Sequence, residues 1–314
     1  MIAIIGAGFV GSTTAYALLL GGTAHEIVLI DINREKAAGE AMDLLHGTPF
    51  LKPAQVFAGD ISDCRQADII IFTAGANQKK GQTRLSLLRQ NSEIVADTVA
   101  KITQHNNNPL LLMVTNPVDV LTQVAWSSSG LDASRVIGSG TVLDTARFRQ
   151  LIADHCGVAS RHVHGYVIGE HGDSEVPLWS SVSIGGVKLK TMCPLCGENC
   201  QPGWQEEVGT KVKRAAYDII ERKGATYYAV GLAVRAIVEG IIRNEKAVLT
   251  VSTLVKDLLP DLGPVYFSLP CVIGRKGIER RLPLDLDDRE KEQLFASGKI
   301  IEEEVEKVMP ALVI

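Results

Sequence analysis

The chain is 314 residues long, 46% hydrophobic and carries a formal net charge of −4, enough apolar content to bury one large or two ordinary cores. With no concentrated basic stripe, that charge argues against nucleic acid or an anionic membrane as the main partner and points to a small ligand. No apolar run approaches the ~20 residues needed to cross a bilayer; even 110–114 stops at a polar turn. The chain opens directly on the apolar run 2–5, with no room for an export signal, and its six cysteines lack the spacing of a disulfide framework. A cytoplasmic protein with reduced thiols is expected.

In chain order, β-branched apolar runs alternate with helical stretches: a strand at 2–5, a helix at 10–20, a strand at 27–30 and a helix at 34–45. Strands follow at 56–58, 69–73 and 110–115, with a long amphipathic helix over 85–104 before the last. These strands are continuous Ile/Val/Leu runs rather than alternating ones, as expected when both faces are buried. An α/β fold with a doubly wound parallel sheet follows. Beyond about residue 140 the texture becomes α+β: a helix at 144–156, hairpin-like strands at 162–168 and 179–189, and helices near 203–222, 225–242 and 286–308. A boundary at Gly138-Ser-Gly140 divides the chain into 1–140 and 141–314.

Gly6-Ala-Gly8-Phe-Val-Gly11 follows a strand and opens a helix. There three glycines give a tight turn, close approach to a pyrophosphate and close helix packing, with the helix N-terminus facing the anion. Asp31 ends the second strand 20 residues after Gly11, where a carboxylate accepts hydrogen bonds from an adenosine ribose. A 2′-phosphate would meet Asp31 as a like charge, so the expected cofactor is NAD rather than NADP. The first unit is then an NAD-binding Rossmann domain and the second a catalytic, substrate-binding domain.

Further motifs are Ala74-Gly-Ala-Asn-Gln78, Thr83-Arg84-Leu85, Val114-Thr-Asn-Pro-Val-Asp119, Gly138-Ser-Gly-Thr-Val-Leu-Asp-Thr-Ala-Arg-Phe-Arg149, Ile168-Gly-Glu-His-Gly-Asp-Ser-Glu175 and Lys223-Gly-Ala-Thr-Tyr-Tyr228. In this order, over essentially the whole chain, they resemble the bacterial-type L-lactate dehydrogenases of the lactate/malate dehydrogenase superfamily. Reducing a 2-keto acid by hydride needs a proton donor, a cation to polarise the ketone and an anchor for the carboxylate. His171 suits the donor, with an ordinary histidine pKa of ~6.5 near working pH, and Asp144 would hold its other ring nitrogen. Arg147, three residues after Asp144 on one helix, can reach the same pocket and grip a carboxylate bidentately. Arg84 follows a polar segment suited to a closing lid, from which it would polarise the ketone. Lys80 and Gln82 depart from the family's usual Pro and Glu in that segment, which bears on its stiffness.

The resemblance also implies that Asn116 bonds the substrate oxygen or the nicotinamide edge, that Ser139 contacts the carboxamide and that Val230 packs on the nicotinamide. Gly75, Ala76, Val10 and Val114 complete the cofactor contacts. The family divides at one lid position, where malate enzymes carry Arg and lactate enzymes Gln; here it is Gln78. A second substrate carboxylate buried against a neutral amide costs several kcal/mol, whereas the methyl of pyruvate does not. Thr226 agrees, being the residue that walls off that methyl in the lactate branch. Lys79 and Lys80 could partly compensate an extra carboxylate, so a malate or broader 2-hydroxy-acid enzyme is one alternative, and a catalytically silent nucleotide-binding scaffold another.

Arg149 lies about 200° around the helix from Arg147 and must face elsewhere. With His164 it coincides with the effector-binding residues of bacterial lactate dehydrogenases activated by fructose 1,6-bisphosphate. The resemblance further implies a homo-oligomer, usually a tetramer. Cys193-Pro-Leu-Cys196-Gly-Glu-Asn-Cys200 falls outside the family pattern. It could bind zinc or form a disulfide, but with three ligands it is read as a reduced loop. His162, His164 and His171 lack a Cys or carboxylate to complete a metal site, and no metal is assigned.

Overall fold

The structure, a computed structural model, describes residues 1–76, 83–192 and 201–309. Its first half runs β1 (Ile2–Ile5), α1 (Phe9–Leu20), β2 (Glu26–Ile30), α2 (Arg34–Gly47), β3 (Gln55–Ala58), β4 (Ile69–Phe72), α3 (Arg84–His105), β5 (Leu110–Met113), α4 (Val118–Ser129) and β6 (Val136–Gly138). β1, β2, β4 and β5 are buried along nearly their whole length, which is why they read as unbroken apolar runs. The six strands are parallel in the order β3-β2-β1-β4-β5-β6. That is the doubly wound order, and its reversal between β1 and β4 opens a crevice at the carboxyl ends of the strands.

The second half comprises α5 (Val142–Cys156), β7 (Val163–His164), β8 (Val167–Ile168), β9 (Val176–Pro177), β10 (Ser183–Ile184), β11 (Val187–Lys188), α6 (Leu189–Met192), α7 (Trp204–Lys223), α8 (Tyr228–Ile242), β12 (Ala247–Val255), β13 (Val265–Gly274), β14 (Gly277–Arg281) and α9 (Asp288–Glu306). The expected strands at 162–168 and 179–189 are broken into two-residue pieces by turns. Strands β12–β14, absent from the sequence reading, are the main departure from it. They join antiparallel to β6 through Ser252 and Gly138 and extend the sheet to nine strands. The two halves therefore share one sheet and one large core, which includes Ile4, Ile71, Leu112, Val251 and Phe267. A smaller cluster beneath α5 and α7 includes Phe148, Ile152 and Val212. No described helix is long and apolar enough to cross a membrane.

Candidate active site

At the switch point a cleft of about 970 Å³ is walled by Gly6, Gly8, Val10, Asp31, Gly75, Ala76 and Thr226, among others. The glycines divide the work as their spacing requires. Gly6 has φ +102°, and a Cβ there would press on the backbone of Ala74 at 2.7 Å; a Cβ on Gly11 would overlap the Gly6 carbonyl oxygen. A Cβ on Gly8 would meet nothing within 4 Å. Gly8 also opens α1 without a side-chain cap, leaving first-turn amides free for an anion. Asp31 steadies this loop, its Oδ2 accepting from Ala7 N at 2.7 Å and its Oδ1 from Asn33 N at 2.9 Å. Each oxygen keeps a lone pair for a ribose hydroxyl. Thr73 Oγ1 donates to the carbonyls of Ile5 and Gly6, and Asn91 Oδ1 accepts from Ala76 N at 2.8 Å. This cradle fits a dinucleotide. Val114 and Ser139 follow the ends of β5 and β6, Val114 N donating to Phe72 O and Ser139 N to Met113 O. Asn116 is exposed ahead of a cis bond to Pro117, and Val230 lies half-buried in the first turn of α8.

The titratable centre forms where α5 meets the segment after β8. Gly169 (φ +85°) pairs with Ser268 of β13 through both main-chain bonds, and Glu170 N donates to Ser297 Oγ of α9 at 2.8 Å. So anchored, His171 places Nδ1 2.6 Å from Asp144 Oδ2, while Arg147 Nη1 donates to Asp144 Oδ1 at 2.9 Å. The Asp144 side chain is 3% exposed and that of His171 26%, so the aspartate is enclosed while the ring reaches solvent. Burial alone would lower His171, but the attraction and hydrogen bond of Asp144, with Asp119 and Glu175 beyond, raise it to about 9. Burial would likewise raise Asp144, yet His171 and Arg147 hold it below the ordinary carboxylate range. With Nδ1 engaged, a protonated ring has Nε2–H as its remaining donor.

The sequence-predicted trio His171, Asp144 and Arg147 thus forms one connected array. Arg84 does not join it. As the first residue of α3, behind the Thr83 cap, it extends a 74% exposed side chain to within 3.8 Å of Glu304 on α9. Gln78, Lys79, Lys80 and Gln82, like Cys193, Cys196 and Cys200, lie outside the described residues. Arg149 turns away from Arg147: its Nε donates to Gly165 O at 2.9 Å and its guanidinium lies 5.2 Å from the Tyr166 ring centroid. His164, exposed on β7, immediately precedes that carbonyl. Among the described residues no His/Cys/Asp/Glu cluster is suited to a metal ion.

Two acids near the dyad went unread as functional. Glu175 is buried, its Oε1 without a hydrogen-bond partner, and burial with repulsion from Asp144 raises its pKa. Asp119 is 2% exposed and accepts the His171 main-chain N–H on Oδ2 at 2.7 Å. The signal was present: Asp119 is the one charge in the apolar run Val118-Asp-Val-Leu121, and a buried charge inside such a run calls for a partner.

A dinucleotide cleft at the switch point, in a chain that also holds a His–Asp pair able to exchange a proton, defines an NAD-dependent oxidoreductase. Residues 1–138 match the family described as lactate/malate dehydrogenase, NAD binding domain, and residues 141–311 match the lactate/malate dehydrogenase, alpha/beta C-terminal domain. The chain belongs to the lactate/malate dehydrogenase family, and its cofactor is NAD. It is 52% identical over 309 residues to an L-lactate dehydrogenase of Thermoanaerobacter sp. (strain X514), covering 98% of each chain. To that of Acetivibrio thermocellus it is 50% identical over 302 residues, 96% of this chain and 95% of the relative. The solved structure of a lactate dehydrogenase from a Medee basin deep-sea metagenome library superposes with a TM-score of 0.95 at 42% identity, and that of the minor L-lactate dehydrogenase of Enterococcus mundtii with 0.93 at 39%; each alignment covers 98% of both chains.

Proposed function

We propose that the chain is an L-lactate dehydrogenase, interconverting pyruvate and (S)-lactate. The observation that carries this reading is the His171–Asp144–Arg147 array. Bound NADH supplies the hydride. Protonated His171 gives its Nε2 proton to the forming alkoxide, and Asp144 orients the ring and steadies its charge. Arg147, which engages Asp144 through Nη1, offers the rest of its fork to the substrate carboxylate. Arg84 supplies the polarising cation on closure; its 3.8 Å contact with Glu304 is a weak surface pair that opposes this little. Asn116 bonds the substrate oxygen or the nicotinamide edge, Ser139 the carboxamide, and Val10, Val114 and Val230 contact the cofactor. Gln78 and Thr226 favour the methyl of pyruvate over a second carboxylate.

The reading extends to regulation and assembly. Arg149 and His164 form a fructose 1,6-bisphosphate site at a subunit interface of a homotetramer. In support, no described carboxylate forms an ion pair with Arg149, and exposed Tyr16, Leu20 and Leu232 give α1 and α8 apolar surface for a partner copy. Like charges facing their symmetry mates would oppose the active tetramer until a bisphosphate neutralises them. A panel of pyruvate, oxaloacetate and longer 2-keto acids with NADH, with and without the bisphosphate, tests the assignment. Pyruvate should have the highest kcat/KM; a preference for oxaloacetate would overturn it.

A further inference from the structure

We propose that Asp119 is a positioning residue for the proton donor, fixing the main chain of His171 and supplying, from α4, a second buried carboxylate that favours its charged form. The observations are geometric. Asp119 lies in the first turn of α4, where the helix N-terminus favours an anion, yet its Oδ2 is committed to another element, the His171 N–H at 2.7 Å. Its Oδ1 is buried with no hydrogen-bond partner, and so is the Oγ of Ser252, the β12 residue that faces this carboxyl. A purely structural acceptor would need no charge, and an amide oxygen would serve at lower cost.

His171 is therefore held between two acids from different elements, Asp144 at its ring and Asp119 at its main chain. α4 begins directly after Asn116 and Pro117, so the same contact ties the segment between β5 and α4, in which Asn116 is exposed, to the donor. The other charged groups around His171 are Arg147 of α5 and, in its own segment, Glu170 and Glu175; Lys213 of α7 faces Glu175. Asp119 itself faces His171, Glu170 and Ser252. Burial raises Asp119 to about 6. It is thus anionic at neutral pH, where the donor must be charged, and neutral at lower pH.

The proposal rests on His171 being the proton donor, and its test is chosen to be readable without turnover. Histidine ring signals are followed by NMR against pH in the full-length protein with NAD bound, alongside kcat/KM for pyruvate. Asp119→Asn retains an acceptor for the His171 N–H but removes the charge. Its His171 midpoint, and the high-pH limb of kcat/KM, should move down by about one unit, with NADH affinity unchanged. Asp119→Ser, which likewise removes the charge and offers a hydroxyl oxygen in place of the carboxylate, should move the same midpoint down by a similar amount. It decides the matter should Asp119→Asn not fold. An unchanged midpoint in the folded Asp119→Asn variant, or in Asp119→Ser when that variant alone is available, overturns the proposal. A moved midpoint in an enzyme without pyruvate activity would instead count against the substrate assignment alone.

Discussion

Replacing Asp144 with Asn should separate two contributions that the dyad combines. The carboxylate accepts from His171 Nδ1 at 2.6 Å and from Arg147 Nη1 at 2.9 Å in a nearly closed pocket. An amide keeps the shape and loses the charge. With His171 held at about 9, the ring is ~99% protonated at pH 7 and ~90% at pH 8. Without Asp144, burial pulls it back to ~6.5 or lower, leaving ~25% and ~3% protonated. The loss from protonation alone thus grows from about fourfold at pH 7 to about 30-fold at pH 8. Lost ring orientation adds a pH-independent factor. Breaking a buried pair costs ~3–5 kcal/mol, equivalent to ~10²–10⁴-fold if felt wholly in the transition state. The assay is kcat/KM for pyruvate reduction from pH 5.5 to 9.5. Wild type should decline only as pH rises through about 9, and Asp144→Asn from ~6.5 upward. Lactate oxidation needs the neutral ring and should show the opposite slope. Parallel profiles, with a wild-type-to-variant ratio independent of pH, would refute this account of Asp144.

Gln78→Arg should raise the oxaloacetate-to-pyruvate ratio of kcat/KM by ~10²-fold, because it supplies a counter-charge for a second carboxylate; an unmoved ratio removes Gln78 as the discriminator. Millimolar fructose 1,6-bisphosphate should lower KM for pyruvate more at pH 6 than at pH 8, since histidine side chains gain charge on acidification. Arg149→Gln should abolish that response. Superimposable saturation curves at both pH values, or activation that survives the substitution, would reject the site.

The parallel half of the sheet was legible because its strands are buried on both faces and punctuated by Gly6, Asp31 and Asn116. Strands β12–β14 were not. In β13, Pro270 interrupts a run that otherwise reads as strand, and a proline argues against a central position; here it pairs in register with Thr250 of β12, and its carbonyl accepts from Leu282 N at 2.8 Å. The two-residue strands β7 to β11 are too short for any periodicity to register. The dyad could be read because Asp144 and Arg147 lie one helical turn apart and His171 sits in a distinctive glycine-flanked segment. The place of Arg84 could not, since it depends on where the start of α3 stands relative to α9. Nor could the part taken by Asp119, which joins residues 52 positions apart through a backbone amide that no side-chain motif reports.

The central claim, that His171 gives the proton in NADH-dependent reduction of pyruvate, is tested most directly by His171→Asn, with turnover and cofactor binding measured on the same preparation. Loss of the general acid should lower kcat for pyruvate by ~10²–10⁴-fold. NADH should bind with wild-type affinity, because the Gly6–Gly11 loop and Asp31 are untouched. Near-normal pyruvate turnover in this variant would contradict the account.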